Sequence, residues 1–213
     1  MGILNGDYFT MLGSCGLDCL GDIVINPYAY QTERSYEPIT VQDLTAMAGK
    51  PRSIDASIEL ARLSLAGTQN KCGLFHDPKA PLGDGWYQPV GGAPSNYIIK
   101  FAREDLHDLM IVEHLSLTCA AACGVPSAKT ALLNPSRPII CVERYDRLGS
   151  ASEVINGQVA PLRQHQEDIT QAFGIMPEAK YRQLEPNTVT VLADFFRNSS
   201  ANPAQDITNL TRL

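Results

Sequence analysis

Residues 64–71 read Ser-Leu-Ala-Gly-Thr-Gln-Asn-Lys, and the apolar stretch Cys-Gly-Leu-Phe follows at 72–75. The pattern predicts a tight polar loop that runs into a buried strand, and Ala66 and Gly67 let the backbone approach a ligand closely. Successive main-chain N–H groups in such a loop form an anion-binding concavity, and Lys71 adds a positive charge at its exit. The stretch is therefore typical of phosphate binding. An ordinary hairpin with a solvated lysine is the competing interpretation.

A second feature is the stretch Tyr-Ile-Ile-Lys-Phe at positions 97–101. Its alternation predicts a β-strand in which Lys100 faces away from Tyr97 and Phe101. Two interpretations of this lysine stay open. It is either a side chain that reaches water from a half-buried strand or a charge reserved for a phosphate group.

The clearest helical pattern covers residues 109–123 and ends at the stop signal Gly124. Its helically spaced positions are Leu109, Val112, Ser116, Cys119 and Cys123. Glu113 is the one acidic residue inside this helix. A lone helical glutamate usually faces solvent, and the alternative is an ion pair with Lys100.

The rest of the chain carries weaker patterns. Thr40, with Asp43 three residues later, predicts the start of a helix that ends at residue 48. Asp146 and Arg147 form either a local ion pair or part of a site. Further helices are predicted at 165–173 and 188–197, strands at 22–26, 126–133 and 138–145, a loop at 28–37, and a Gly- and Pro-rich turn or hairpin at 76–92.

Composition limits the class of protein. The chain has 213 residues, enough for one large or two small domains. Its formal net charge is −6 and it has no basic stripe, which argues against direct binding to nucleic acid and to anionic membranes. No apolar run reaches the roughly 18 residues of a transmembrane helix, and the N-terminus lacks the charged start of a signal peptide. The expected location is cytoplasmic.

The cysteines permit two interpretations. The six are Cys15, Cys19, Cys72, Cys119, Cys123 and Cys141. Two pairs have a spacing of four, so a zinc site is conceivable, but the usual C-x2-C spacing is absent. Because each cysteine lies among Leu, Ala and Gly, we predict buried, reduced thiols and no metal site.

Several segments together resemble the HipA-like serine/threonine kinases, the toxins of type II toxin–antitoxin pairs. Residues 64–71 are similar to the S-I-A-G-x-Q-x-K loop of that family. The other matching segments are Tyr97 to Lys100 (H-I-I-K), Glu113 (N-E-x), Val142 to Arg147 (V-E-R-F-D-R), His165 to Asp168 with Gly174 and Lys180-Tyr181 (H-Q-E-D…G…K-Y), and Gly16 to Gly21 (G-x-D-C-x-G). The resemblance covers nearly the whole chain.

The resemblance implies an α+β fold with a mostly antiparallel sheet and flanking helices, like the N-terminal lobe of a kinase. It also implies ATP as cofactor, with Mg²⁺ bound by residues of the C-terminal lobe. The loop of Ala66, Gly67, Thr68, Gln69, Asn70 and Lys71 would hold the phosphates. Lys100 would contact the phosphates and pair with Glu113. The adenine would be held by Glu143, Arg144 and Tyr145, and Gln166 would line the same cleft. Ser64 matches the serine that family members autophosphorylate.

The sequence departs from the family pattern in its catalytic residues. The family's catalytic aspartate lies in a D-x-H-x-x-N loop, and only Asp105-Leu106-His107 matches it in part, with Met110 in place of the asparagine. This match precedes the segment at 142–147, so we interpret it as coincidental. We expect that most of the C-terminal catalytic lobe is missing, that residues 1–50 are a remnant of the N-terminal subdomain, and that 51–213 form the N-lobe and the start of the C-lobe.

Three hypotheses follow from these observations. The first is a truncated kinase that binds ATP and does not catalyse efficiently alone, because phosphoryl transfer needs a base and metal ligands. The second is a non-catalytic module that binds a HipB-like helix-turn-helix antitoxin or complements a split kinase. The third is a decayed gene fragment. A chain cut at a lobe boundary would expose apolar surface, which favours self-association.

Overall fold

The computed structural model describes residues 16–25, 33–48, 71–102, 108–134, 138–149, 153–176, 179 and 187–212. The loop predicted at 64–71 lies outside these residues except for Lys71. The chain divides into two compact units, Met1–Ser116 with Ala128–Gln166, and Leu117–Ser127 with Glu167–Leu213.

The first unit is built on a six-stranded antiparallel sheet with the order β1-β3-β2-β4-β6-β5. The strands are β1 (Ser35–Ile39), β2 (Lys71–His76), β3 (Trp86–Val90), β4 (Tyr97–Phe101), β5 (Thr130–Leu132) and β6 (Ile139–Glu143). Two small ribbons pair β7 (Arg147–Leu148) with β10 (Leu162–Arg163) and β8 (Val154–Ile155) with β9 (Gln158–Val159). The predicted α+β fold with a mostly antiparallel sheet is confirmed.

Five α-helices accompany these strands in the described residues. They are α1 (Val41–Ala48), α2 (Leu109–Ala122), α3 (Ile169–Ala172), α4 (Thr188–Ser199) and α5 (Pro203–Leu210), and a 3₁₀ turn covers Gly16–Asp18. The predicted start of α1 is confirmed, since the Thr40 hydroxyl accepts a hydrogen bond from the Asp43 N–H (3.1 Å) and the Asp43 carboxylate accepts one from the Thr40 N–H (2.9 Å). None of the helices in the described part of the chain is long and apolar enough to cross a membrane.

The two faces of the sheet bury different clusters. One face packs against α1, through a core that contains Leu44, Met47, Trp86, Ile99 and Phe101. The other face packs against α2 through Met110, which contacts Ile140 and Ala102. Because residues alternate between the faces of a strand, Lys100 lies on the α2 face, and its predicted orientation away from Phe101 is confirmed.

The second unit contains α3, α4 and α5. Asp168 caps α3 by accepting a hydrogen bond from the Gln171 N–H at 2.9 Å, and Gly174 follows the helix with a φ of 64°. Phe195 of α4 packs against Phe173 with the ring centroids 5.1 Å apart. The predicted helix at 188–197 is confirmed, and the helix predicted at 165–173 begins only at Ile169 because Asp168 is its N-cap.

Three predictions about elements were wrong. Residues 22–25 form no strand, and Ile23 and Val24 are half-exposed there. The segment predicted as a loop at 28–37 contains the start of β1, an edge strand that tolerates Pro38. In α2 the buried residue is Met110, whereas Val112, Cys119 and Cys123 are exposed, so the helix packs through the opposite side from the one that the cysteines mark.

Candidate functional site

Two lysines lie side by side on the α2 face of the sheet. Lys71 opens β2, Lys100 lies in β4, and the two residues are directly opposite each other in the antiparallel register. Residues in this relation have Cβ atoms about 5 Å apart and side chains on the same face. Both lysines are partly buried. The register therefore brings together two positive charges that are 29 residues apart in the sequence.

Glu113 of α2 lies beside these lysines, and we call the group of Lys71, Lys100 and Glu113 the lysine pair. The Lys100 ammonium donates a hydrogen bond to the Glu113 carboxylate. The two side chains are 21% and 23% exposed. Met110 lies three residues before Glu113, on the same side of the helix, and its burial against Ile140 turns this side toward the sheet. The structure thus contains the ion pair that was one of two interpretations of these residues.

The electrostatics of the lysine pair favour an anionic ligand. Burial lowers the pKa of Lys71, the neighbouring charge of Lys100 lowers it further, and Glu113 acts in the opposite direction. Like charges directly opposite each other destabilise a sheet, and the Glu113 carboxylate beside Lys100 reduces this repulsion. A phosphate group bound on this face would be attracted by both ammonium groups.

The segment Glu143–Tyr145 begins where β6 ends. In the register of β4 and β6, Glu143 lies opposite Tyr97 and Ile140 lies opposite Lys100. The three-residue offset places the end of β6 about 10 Å along the strands from the lysine pair. The Glu143 side chain faces away from Lys100, and its carboxylate lies 3.6 Å from the Lys129 ammonium. A ligand on the α2 face would therefore meet the main chain of Glu143.

Arg144 and Tyr145 differ in exposure. The side chain of Arg144 is fully buried, and its N–H donates a hydrogen bond to the Asn96 carbonyl at 3.0 Å. Tyr145 is 71% exposed. A cavity of about 250 Å³ borders this segment and is lined by Asn96, Tyr97, Glu143 and Arg144 among others. Because its side chain is fully buried, the guanidinium group of Arg144 lies in the protein interior.

The guanidinium of Arg144 belongs to a buried cluster of charges. It donates to both oxygens of Asp146, at 3.0 and 2.7 Å, and to the Ser95 hydroxyl at 2.9 Å. Arg147 also donates to Asp146, at 2.8 Å. Burial acts to raise the pKa of Asp146, but the hydrogen bond and charge of Arg144, together with the Gly21 N–H and the charge of Arg147, more than offset it, so the pKa lies below its usual range. Asp146 and Arg147 thus form an ion pair inside a larger cluster.

Asp18, in the turn at 16–22, is the second carboxylate of this cluster. Its Oδ1 accepts a hydrogen bond from Arg147 at 3.0 Å, and its Oδ2 accepts one from the Ser95 hydroxyl at 2.6 Å. Arg163 lies 3.4 Å from the same carboxylate. We call this group the arginine cluster; its members are Asp18, Ser95, Arg144, Asp146, Arg147 and Arg163.

Sequence reasoning missed the partners of the arginine cluster. Asp18 and Arg144 are 126 residues apart, and no local pattern predicts their contact. One available signal was Gly73 inside a buried strand, since a glycine at such a position marks close approach by another group. A Cβ at Gly73 would lie 2.7 Å from the Ser95 hydroxyl oxygen and 3.4 Å from Asp18.

The remaining predicted residues fall in different places. Ser64, Ala66, Gly67, Thr68, Gln69 and Asn70 lie outside the described residues. Gln166 follows β10, and its main chain lies against Gly21. The assignment of these residues to a nucleotide stays a prediction.

The cysteines differ from the prediction in part. Cys72 and Cys141 are buried, but Cys119 and Cys123 are exposed. The latter two were predicted to be buried; they lie on the side of α2 opposite Met110. Within the described ranges, no group of three or more His, Cys, Asp or Glu residues could hold a metal ion.

Comparisons with known proteins agree with this architecture. Residues 63–213 match the family model for the HipA-like C-terminal domain. The chain is 30% identical over 187 residues to the serine/threonine-protein kinase toxin HipA of Shewanella oneidensis, covering 86% of this chain and 40% of that protein. It is 31% identical over 222 residues to a Sinorhizobium fredii protein named "Putative kinase Y4mE", covering 99% of this chain and 50% of that protein.

A solved structure shows the same relation. The complex of HipA, HipB and operator DNA from Shewanella oneidensis contains a chain that matches with a TM-score of 0.64 and 28% identity, over 85% of this chain and 41% of that one. The chain spans about half or less of the length of these relatives. From the family match over 151 positions and the identities of its relatives, we conclude that the chain belongs to the HipA-like kinase family.

Proposed function

We propose that this chain is the ATP-binding lobe of a HipA-like toxin serine/threonine kinase. The observation that carries the proposal is the lysine pair, in which Lys71 and Lys100 lie opposite each other and Glu113 pairs with Lys100. Protein kinases use an ion pair between a strand lysine and a helix glutamate to position the lysine on ATP phosphates. The same elements, a central strand and the helix that covers it, supply the two residues here.

In this proposal the nucleotide extends along β4 and β6. Lys71 and Lys100 bind the phosphates, together with the loop Ala66 to Asn70. The main chain of Glu143 and the exposed Tyr145 bind the adenine, about 10 Å further along the strands. The side chain of Arg144 supports this segment from the interior, because it is fully buried. Gln166 borders the same region.

Ser64 is the proposed autophosphorylation site. A phosphoserine would add about −1.5 to −2 charges at pH 7. Because the loop that contains Ser64 leads directly to Lys71, that charge would compete with ATP for the two lysines. The modification would therefore lower ATP affinity.

The chain by itself is not proposed to transfer phosphate efficiently. Its 213 residues contain no D-x-H-x-x-N sequence, and phosphoryl transfer needs a base or positioning group and Mg²⁺ ligands. The described residues fit the phosphates of ATP and offer no cluster of metal ligands. We therefore assign no Mg²⁺ ligand to them.

A second candidate function is binding to a HipB-like antitoxin without catalysis. The support is the matching solved structure, in which HipA is assembled with HipB and operator DNA. Under both functions we expect the protein to act in the cytoplasm. Co-expression with a HipB-like partner, followed by affinity purification, separates the candidates: copurification without ATP binding favours the second.

Calorimetric titration with ATP and Mg²⁺ tests the first candidate. We expect saturable binding, and a dissociation constant at least tenfold higher, or about 1.4 kcal/mol, for Lys100→Ala. Lys79→Ala is the matched control, because Lys79 is an exposed lysine on a turn of the same unit. Equal affinity of Lys100→Ala and the wild type would contradict the proposal. Mass spectrometry of the same sample reports whether Ser64 carries phosphate.

A further inference from the structure

We propose that the turn at residues 16–22 is a positioning element for the adenine end of the nucleotide site, and that Asp18 is its central residue. This inference rests on the proposed function and extends it to a segment more than 120 residues away in the sequence. Asp18 is argued to act through Arg144, so it is a positioning residue and does not touch the nucleotide.

The first step concerns the main chain of the turn, whose alternate carbonyls accept hydrogen bonds from arginines. Arg163 donates to the Leu17 carbonyl at 2.9 Å. Arg144 and Arg147 both donate to the Cys19 carbonyl at 2.9 Å. The turn is thus bound at successive points by arginines of the segment that follows β6 and of β10.

The second step concerns the hydrogen bonds that Gly21 and Asp18 of the turn make with Asp146 and Ser95. The Gly21 N–H donates to Asp146 Oδ2 at 2.7 Å. The Asp18 carboxylate accepts hydrogen bonds from the N–H and the hydroxyl of Ser95, at 3.2 and 2.6 Å. Because Ser95 precedes β4 and Arg144 follows β6, Asp18 connects the two strands at the end where the adenine is proposed to bind.

The third step concerns the segment after β10, which contains Gln166. The Gln164 N–H donates to the Asp146 carbonyl at 3.0 Å, and the His165 ring lies 3.1 Å from the Asp22 carboxylate. Gly21 has a φ of 74°, and a Cβ there would lie 3.2 Å from the Gln166 nitrogen. The turn therefore contacts the segment to which the family resemblance assigns the adenine and the segment of Gln166, which the resemblance places in the same cleft.

The charges explain why Asp18 should control the position of these segments. Arg144 and Arg147 have fully buried side chains, and in the described part of the chain the carboxylates that they contact are those of Asp146 and Asp18. Replacing Asp18 by Asn conserves its volume and removes one of the two negative charges. Arg144 would then reorient, and the main chain of Glu143 and Tyr145 would move with it.

The test compares ATP with inorganic tripolyphosphate, which lacks the adenine. Binding of both ligands is measured by calorimetry for the wild type, Asp18→Asn and Lys100→Ala. We expect Asp18→Asn to weaken ATP binding about tenfold and to leave tripolyphosphate binding unchanged. Lys100→Ala should weaken binding of both ligands. Loss of overall stability alone would not change the ratio of the two affinities.

Ser95→Ala is a second variant, because it removes the hydroxyl that donates to Asp18 and accepts from Arg144 while all the charges of the cluster remain. This variant should weaken ATP binding and leave tripolyphosphate binding unchanged. It replaces Asp18→Asn in the test if Asp18→Asn does not fold. Wild-type affinity for ATP in the folded variants, or equal weakening of both ligands, would overturn the inference. If the wild type binds neither ligand, the proposed function fails, and the positioning role fails with it.

Discussion

The lysine pair and the arginine cluster both lie on the α2 face of the sheet in the first unit, and both combine carboxylates with cations. In the lysine pair, Lys100 and Glu113 remain about one-fifth exposed and share one hydrogen bond. In the arginine cluster, the side chains of Arg144 and Arg147 are fully buried and make hydrogen bonds to carboxylates and carbonyls.

The difference separates binding from positioning. A group of charges that is partly open to solvent has room for a further anion, and its own ion pair contributes little to stability. A buried group of charges must satisfy its own hydrogen bonds, since an unpaired buried charge costs several kcal/mol. We therefore expect substitutions in the arginine cluster to reduce stability more than those in the lysine pair, which should reduce ligand affinity with little loss of stability.

The largest expected effect is that of Asp146→Ala. This change leaves Arg144 and Arg147 with Asp18 as their remaining carboxylate in the cluster. Removing one partner of a buried pair costs about 3–5 kcal/mol, so the free energy of unfolding, measured with urea, should fall by that amount. Glu37→Gln, at an exposed acid of β1, is the control and should change it by less than about 0.5 kcal/mol. A loss below 1 kcal/mol for Asp146→Ala would remove the distinction between the two groups.

The pH dependence of stability provides the second test. The pKa of Asp146 is below its usual range, so the unfolded chain takes up this proton more readily than the folded chain. The stabilisation is therefore complete above the unfolded pKa of about 3.9 and is lost as the pH falls through the folded pKa. The difference in unfolding free energy between the wild type and Asp146→Asn should shrink below about pH 4. A difference that is constant from pH 7 to pH 3 would contradict the assigned ion pairs.

Gly73→Ala should have an intermediate effect. The added Cβ would lie 2.7 Å from the Ser95 hydroxyl oxygen, which is fixed by Asp18 and Arg144. Overpacking of this kind costs about 1–3 kcal/mol, to be measured as a lower midpoint of urea unfolding. Gly149→Ala is the matched control, since nothing lies within 4 Å of a Cβ there. Equal midpoints for the two variants would mean that the arginine cluster does not require a glycine beneath it.

The same comparison explains what the sequence could predict. Lys100 and Glu113 stand on a strand and a helix with clear periodicity, and the direction of Lys100 followed from alternation with Phe101. Most strands of the six-stranded sheet were predicted for the same reason, whereas the α+β fold was implied by the family resemblance. The phosphate-binding role of residues 64–71 was also predicted from their own pattern, and the family resemblance supplied the roles of Gln166 and of the segment at 143–145.

The arginine cluster could not be predicted, because its contacts join segments that are far apart in sequence. Asp18 bonds to Ser95 and Arg147 across 77 and 129 residues, and only the assembled sheet brings them together. The start of β1 was missed because Glu37 and Pro38 disfavour a strand in isolation. Its pairing with β3 at the sheet edge supplies the stability that local propensity lacks.

The smallest effect on stability is expected for Glu113→Gln, and it gives the sharpest contrast with Asp146→Ala. The Glu113 side chain is 23% exposed, so loss of its ion pair should lower the free energy of unfolding by about 1 kcal/mol or less. The same change frees Lys100 from the carboxylate that positions it, and ATP affinity measured by calorimetry should fall severalfold while the midpoint of urea unfolding hardly moves. A loss of 3 kcal/mol or more would place Glu113 with the arginine cluster as a structural residue. Unchanged stability together with unchanged ATP affinity would mean that the ion pair neither stabilises the fold nor positions Lys100, and the lysine pair would then lose its assigned role.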